Sequence, residues 1–136
     1  MQDRPTASEL LDIARTTLLE ELMPVFPDDR RLSVLIIANI MAIAGRELAF
    51  GEAPLRHELA RLCALYDEKP VPLKRREEVT AAVTRLSRRL AADLRSGAFE
   101  EGEPTRLEQA KAHLLETTLQ KLRENNPRYL EAEAFQ

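Results

Sequence analysis

Apolar residues recur along this chain at helical spacing, and no stretch alternates as a half-buried strand would. Leu10, Ala14, Leu18 and Leu22 return every fourth residue, with Leu11 and Leu19 widening the stripe. Thr6 followed by Glu9 has the spacing of a capping box, in which the hydroxyl accepts from a free backbone N–H and the carboxylate reaches back. A first helix is therefore predicted from Thr6. Pro24 and Pro27 end it and stiffen the chain into an extended connection, and Asp28 or Asp29 is placed to cap the next helix.

The stretch from Leu32 to Phe50 is predicted to organise the rest. Between Val34 and Ala44 only Asn39 is polar. A helix that is apolar nearly all round must be surrounded by protein or by lipid. The run reads as too short to span a bilayer, and Arg30, Arg31, Arg46 and Glu47 bracket it. It is therefore expected to be the central helix of a small bundle. Ala38, Ala42, Gly45 and Ala49 form a stripe of small residues that lets another helix come close. Leu32, Ile36, Ile40, Ile43 and Phe50 form a bulky face. Gly45 costs about 1 kcal/mol inside a helix relative to Ala, which close helix approach would explain. Gly51 suits the position just past a helix end.

A short third helix is predicted after Pro54, with Leu55, Leu59, Leu62 and Tyr66 along one side. Pro70 and Pro72 break the chain again. A fourth helix runs from about Leu73 to Ser96, with Val79, Val83, Leu86, Leu90 and Leu94 facing inward and Gly97 stopping it. Glu100, Glu101 and Glu103 crowd the next loop. Pro104 opens a fifth helix carrying Leu107, Ala110, Leu114, Leu115, Leu119 and Leu122, which Asn125, Asn126 and Pro127 close. The expected fold is all-α: a small antiparallel bundle of about five helices around the apolar helix 32–50, in one domain over residues 1–136. The tail 130–136 either packs through Leu130 and its neighbour Tyr129 or stays loose.

Composition narrows the function. Tryptophan is absent and aromatic residues are few, so aliphatic side chains must fill the core. A net charge of −3 argues against a general nucleic-acid binder, which needs a strong basic excess. The single cysteine, Cys63, excludes an internal disulfide framework and reads as a small apolar core residue in a reducing compartment. The opening sequence leads straight into a capped polar helix without the pattern of a signal peptide. These features together predict a cytoplasmic protein with no membrane segment.

Candidate chemistry is sparse. Asn39 is expected at the middle of the most buried helix, where its amide either contacts a ligand or partner or bonds a neighbouring helix. Arg46 lies two turns further along the same side and Glu47 follows it, so the pair either lines a polar groove for an anionic group or partner or makes an internal salt bridge. Lys74, Arg75 and Arg76 at the start of the fourth helix form a candidate site for a phosphate or an acidic partner, against a plain solvated face screened by Glu77 and Glu78. His57 and His113 have no metal-ligand spacing and read as surface or boundary histidines. There is no glycine-rich phosphate loop and no nucleophile elbow. The chain is expected to be no enzyme by itself, and no cofactor is indicated.

The opening MQDRPTA, Ala38-Asn39, Arg46-Glu47-Leu48, and Lys121-Leu122 followed by Asn126-Pro127-Arg128-Tyr129 occur in order over nearly the whole chain. In this combination the chain resembles a family of small bacterial proteins of unknown function, encoded beside an aminoglycoside-phosphotransferase-like kinase and acyl-CoA dehydrogenases. It departs from that family where Ser33 and Leu35 stand in place of a His and an Arg. The resemblance implies a cytoplasmic, non-catalytic accessory subunit of that kinase, which would phosphorylate a hydroxyacyl-CoA in acyl-CoA catabolism. It adds Arg4, Asn126, Arg128 and Tyr129 to Asn39, Arg46 and Glu47 as interface candidates. The alternatives are a protein that binds an acyl-CoA or another anionic ligand, and a self-associating structural protein that forms a homo-oligomer.

Overall fold

The computed structural model describes residues 3–70, 72–100 and 104–133. Met1 and Gln2 of the opening motif, Glu101 and Glu103 of the acidic loop, and the last three residues of the tail lie outside them. Among the described residues the protein is all-α, as the periodicity predicts, with six α-helices and no strand. It divides into two compact units: Met1–Gly51 with Leu122–Gln136, and Glu52–Lys121.

In the first unit, α1 spans Ala7–Thr17. Its capping box is formed as the sequence predicts: the Glu9 N–H donates to Thr6 Oγ1 at 3.2 Å, and the Thr6 N–H donates to Glu9 Oε2 at 2.7 Å. The prolines act later than expected. The helix widens into a π turn over Leu18–Leu22 and tightens into a 3₁₀ turn over Met23–Val25, where Pro24 sits at the start and its missing N–H costs nothing. Only Phe26 and Pro27 are extended. Asp28 and Asp29 fall inside a second 3₁₀ turn, Asp28–Arg30, and so do not cap α2, which covers Arg31–Phe50 without a side-chain N-cap. Gly51 ends α2 at φ 65°, a conformation that favours glycine.

The small-residue stripe of α2 receives α1. A Cβ built on Gly45 would meet Leu11 Cβ at 3.8 Å and the Ser8 carbonyl oxygen at 3.9 Å, and the Ser8 hydroxyl donates to the Gly45 carbonyl at 3.0 Å. The contact is close, yet those distances are ordinary van der Waals spacing, so a methyl group fits. Gly45→Ala is therefore expected to stabilise the protein by up to about 1 kcal/mol through helix propensity, a rise of about 2–5 °C in a thermal melt followed by circular dichroism. A fall in the melting temperature would mean that α1 sits tighter on α2 than described.

Burial on α2 differs from the sequence expectation. Only Val34, Ala38 and Gly45 are buried. Leu32, Ile36, Ile37, Ile40, Leu48 and Phe50 are exposed, Leu32 at 69%. Asn39, expected at the most buried point, is also exposed. The apolar pattern alone cannot say which side of such a helix is covered. With the 3₁₀ turn included, Asp28–Phe50 is also long and apolar enough to cross a membrane by length and composition, where the apolar run alone reads as too short.

The second unit holds the protein's buried cluster. It contains α3 (Ala53–Leu65), α4 (Arg76–Ser96) and α5 (Pro104–Asn125) up to Lys121. Leu62, Leu65 and Tyr66 pack with Val79, Val83, Leu86, Leu90, Phe99 and Ala110, and Leu55, Leu59, Leu73 and Leu107 close over them. Cys63 lies in the same cluster, as expected, where burial pushes its thiol pKa up. Leu94, Leu114 and Leu115, predicted to face inward, are exposed. The fourth helix starts at Arg76 rather than Leu73, because the chain before it is held in non-helical form: Arg56 donates to the Leu73 carbonyl at 2.8 Å. Gly97 stops the helix at φ 74° in the left-handed region.

Candidate functional site

In the first unit, α1 and α2 and the chain after Leu122 enclose a cavity of about 350 Å³. α2 supplies Leu35, Asn39 and Arg46, α1 supplies Arg15, the end of α5 supplies Asn125, Asn126 follows it, and α6 (Pro127–Glu133) supplies Arg128. Thus four of the sequence candidates, Asn39, Arg46, Asn126 and Arg128, converge on one place although 89 residues separate the first from the last. The reason is partly helical register, which puts Asn39 and Arg46 on one side of α2 beside the small-residue stripe.

Arg46 is the structural link. Its Nε donates to the Glu124 carbonyl at 2.6 Å and its Nη2 reaches the Asn125 carbonyl at 3.5 Å. These are last-turn carbonyls of α5, which lack helical partners, and a cation at that end is favoured by the helix dipole. The expected alternatives for Arg46 were a groove or a salt bridge to a carboxylate. The structure places Arg46 in the lining of the cavity, and its guanidinium meets a helix C-terminus rather than a carboxylate.

Arg15 was not anticipated from sequence. Its Nε is buried and has no hydrogen-bond partner among the described residues. The cavity lining contains three arginines, three asparagines, and no Asp or Glu. The only sequence signal for Arg15 is a basic residue at the end of an amphipathic helix, which ordinarily reads as a solvated side chain complementing the helix dipole.

The remaining candidates lie elsewhere. Arg4 makes a 3.5 Å ion pair with Glu9 and lines a separate cavity with Leu48 and Gly51. Glu47 is exposed on α2, and Tyr129 is half exposed on α6. In the second unit, the Glu78 carboxylate takes up Arg75, accepting from its guanidinium at 3.1 Å and from its backbone N–H at 3.4 Å. That pairing weakens the phosphate reading of Lys74, Arg75 and Arg76.

Two polar groups of the second unit were also missed. His113, predicted at the surface or its boundary, is buried, and Arg61 Nε donates to its Nδ1 at 3.4 Å. Burial and then the neighbouring Arg61 charge hold its imidazole below the usual histidine range, so the neutral form is favoured. Tyr66 donates to Asp93 Oδ2 at 2.7 Å beneath the Arg89 guanidinium, which stacks 4.0 Å above its ring. Burial and the Asp93 hydrogen bond push the phenol pKa up. The Arg89 guanidinium also lies within ion-pair distance of Glu68, at 3.8 Å, and of Asp93, at 3.9 Å.

A family model described as Domain of unknown function (DUF6285) matches residues 24–129. No curated protein matches the chain, and no solved structure does.

Proposed function

The chain belongs to the DUF6285 family, and we propose that it is a non-catalytic accessory subunit that docks on a partner enzyme through the uncovered face of α2. The observation that carries this reading is the burial of that helix. Leu32, Ile36, Ile37 and Ile40 leave large apolar surface in contact with water, and contiguous exposed apolar patches of this kind mark interaction sites. An amphipathic or apolar surface of a protein partner suits the face, in the helix-in-groove manner. By the resemblance in sequence, the partner is a cytoplasmic phosphotransferase-like kinase that acts on a hydroxyacyl-CoA.

A protein is favoured over a bilayer by what α2 already holds. Inserting it in lipid would break the Ser8–Gly45 and Arg46–Glu124 hydrogen bonds and place Arg46 and Glu47 in or near hydrocarbon. The expected result is stoichiometric co-elution with the kinase, abolished in the double variant Ile36→Asp/Ile40→Asp. Both positions are more than half exposed, at 52% and 59%, so the variant should keep its helical spectrum. Two charges in a desolvated interface should weaken binding about 100-fold or more. Absence of a complex at micromolar concentrations would overturn the proposal. So would a dimer of this chain that the same two substitutions dissociate, or vesicle binding that they abolish.

A further inference from the structure

We infer that the cavity between α1, α2 and the α5–α6 turn binds a small organic phosphate. The charge balance is the first argument. Arg15, Arg46 and Arg128 line the cavity, and no carboxylate does. No ion pair among the described residues involves any of the three. A structural arginine cluster normally carries its own counter-charge, because like charges gathered around a recess repel.

The second argument is the buried Nε of Arg15. A buried donor left unsatisfied costs about 1–3 kcal/mol, so such an atom beside a cavity calls for an acceptor from outside the chain. The third is donor capacity. Arg46 commits Nε and one terminal nitrogen to the α5 carbonyls, and a guanidinium has five N–H groups, so it keeps donors for a second acceptor. Asn39 and Asn126 add amide groups to the lining.

Size and shape give the ligand class. A volume of about 350 Å³ is near the lower end for small-molecule sites, which run from about 300 to 1,000 Å³. Leu19, Leu35 and Ala38 add apolar side chains to the lining. Three cations match a dianion better than a monoanion, and guanidinium forks fit phosphate oxygens in pairs. A phosphate monoester with a short carbon body fills these requirements; a monocarboxylate leaves charge unmatched.

The test is calorimetric titration of the isolated chain at constant ionic strength with glycerol phosphate, inorganic phosphate, acetate and chloride. It needs no partner protein, so its failure and that of the docking reading are distinguishable. Saturable one-to-one binding is expected for glycerol phosphate and, more weakly, for inorganic phosphate. Arg15→Gln and Arg128→Gln should each weaken it about tenfold, the loss of one charge-assisted contact. Arg128 is exposed, so its variant decides the matter if Arg15→Gln disturbs folding. Absent saturation, unchanged affinity in Arg128→Gln, or equal response to acetate would each overturn the inference.

Discussion

Leu86→Ala is expected to cost about 3 kcal/mol and to lower the melting temperature by roughly 10 °C. Leu86 is fully buried, at 0% exposure, in the cluster built by α3, α4 and α5. Truncation loses the transfer free energy of the removed carbons, about 2 kcal/mol, and leaves a void that its neighbours fill only in part. Leu62 of α3 and Val79 of α4, also among the most completely buried side chains, belong to the same cluster. Ile36→Ala supplies the contrast. It removes a comparable side chain from α2, but one that already faces water, so its cost should stay within about 0.5 kcal/mol. Urea denaturation of both variants checks the pair. Similar losses would mean that α2 is as deeply packed as α4, which would remove the basis for docking.

That contrast shows how far periodicity reaches. The stripe of α4 names its buried residues well, Leu94 excepted, because that helix is amphipathic: Val79, Val83, Leu86 and Leu90 are inside, and arginines and glutamates occupy the other side. On α2 the method fails for a physical reason. When nearly every position is apolar, hydrophobicity no longer distinguishes the covered face from the bare one. Residue size does better there, since Ala38 and Gly45 mark the side on which α1 lies. Capping also reads well where the residues have one local use, as at Thr6 and Glu9. It misleads at Asp28 and Asp29, where either the turn or the cap would use an acidic side chain.

The cavity was half legible. Asn39 and Arg46 were linked by register, and Asn126 and Arg128 by resemblance, but nothing in sequence joined the two pairs. Their convergence depends on the chain returning after Leu122 to the first unit. Arg15 and the burial of His113 were not legible at all, because a single polar residue on an amphipathic helix carries no sign of what lies over it. His113 gains its partner from Arg61, 52 residues earlier.

Arg46→Met is expected to destabilise the first unit by about 2 kcal/mol while leaving the second nearly unchanged. Methionine keeps much of the arginine stem's packing and removes the guanidinium. The change removes the guanidinium's hydrogen bonds to the Glu124 and Asn125 carbonyls and deletes the cation at the end of α5. Arg46→Lys should recover only part of the loss, since an ammonium cannot span two carbonyls with fixed geometry. Hydrogen exchange locates the effect: protection should fall over 122–133 and at the end of α2, and persist around Leu62 and Leu86. The same variant separates the two roles of this residue. If exchange is unchanged while phosphate binding weakens, the guanidinium serves the ligand more than the fold. If protection falls and the Arg128→Gln protein still loses phosphate affinity on an intact scaffold, Arg46 is the strut of the site and Arg15 and Arg128 are its contacts.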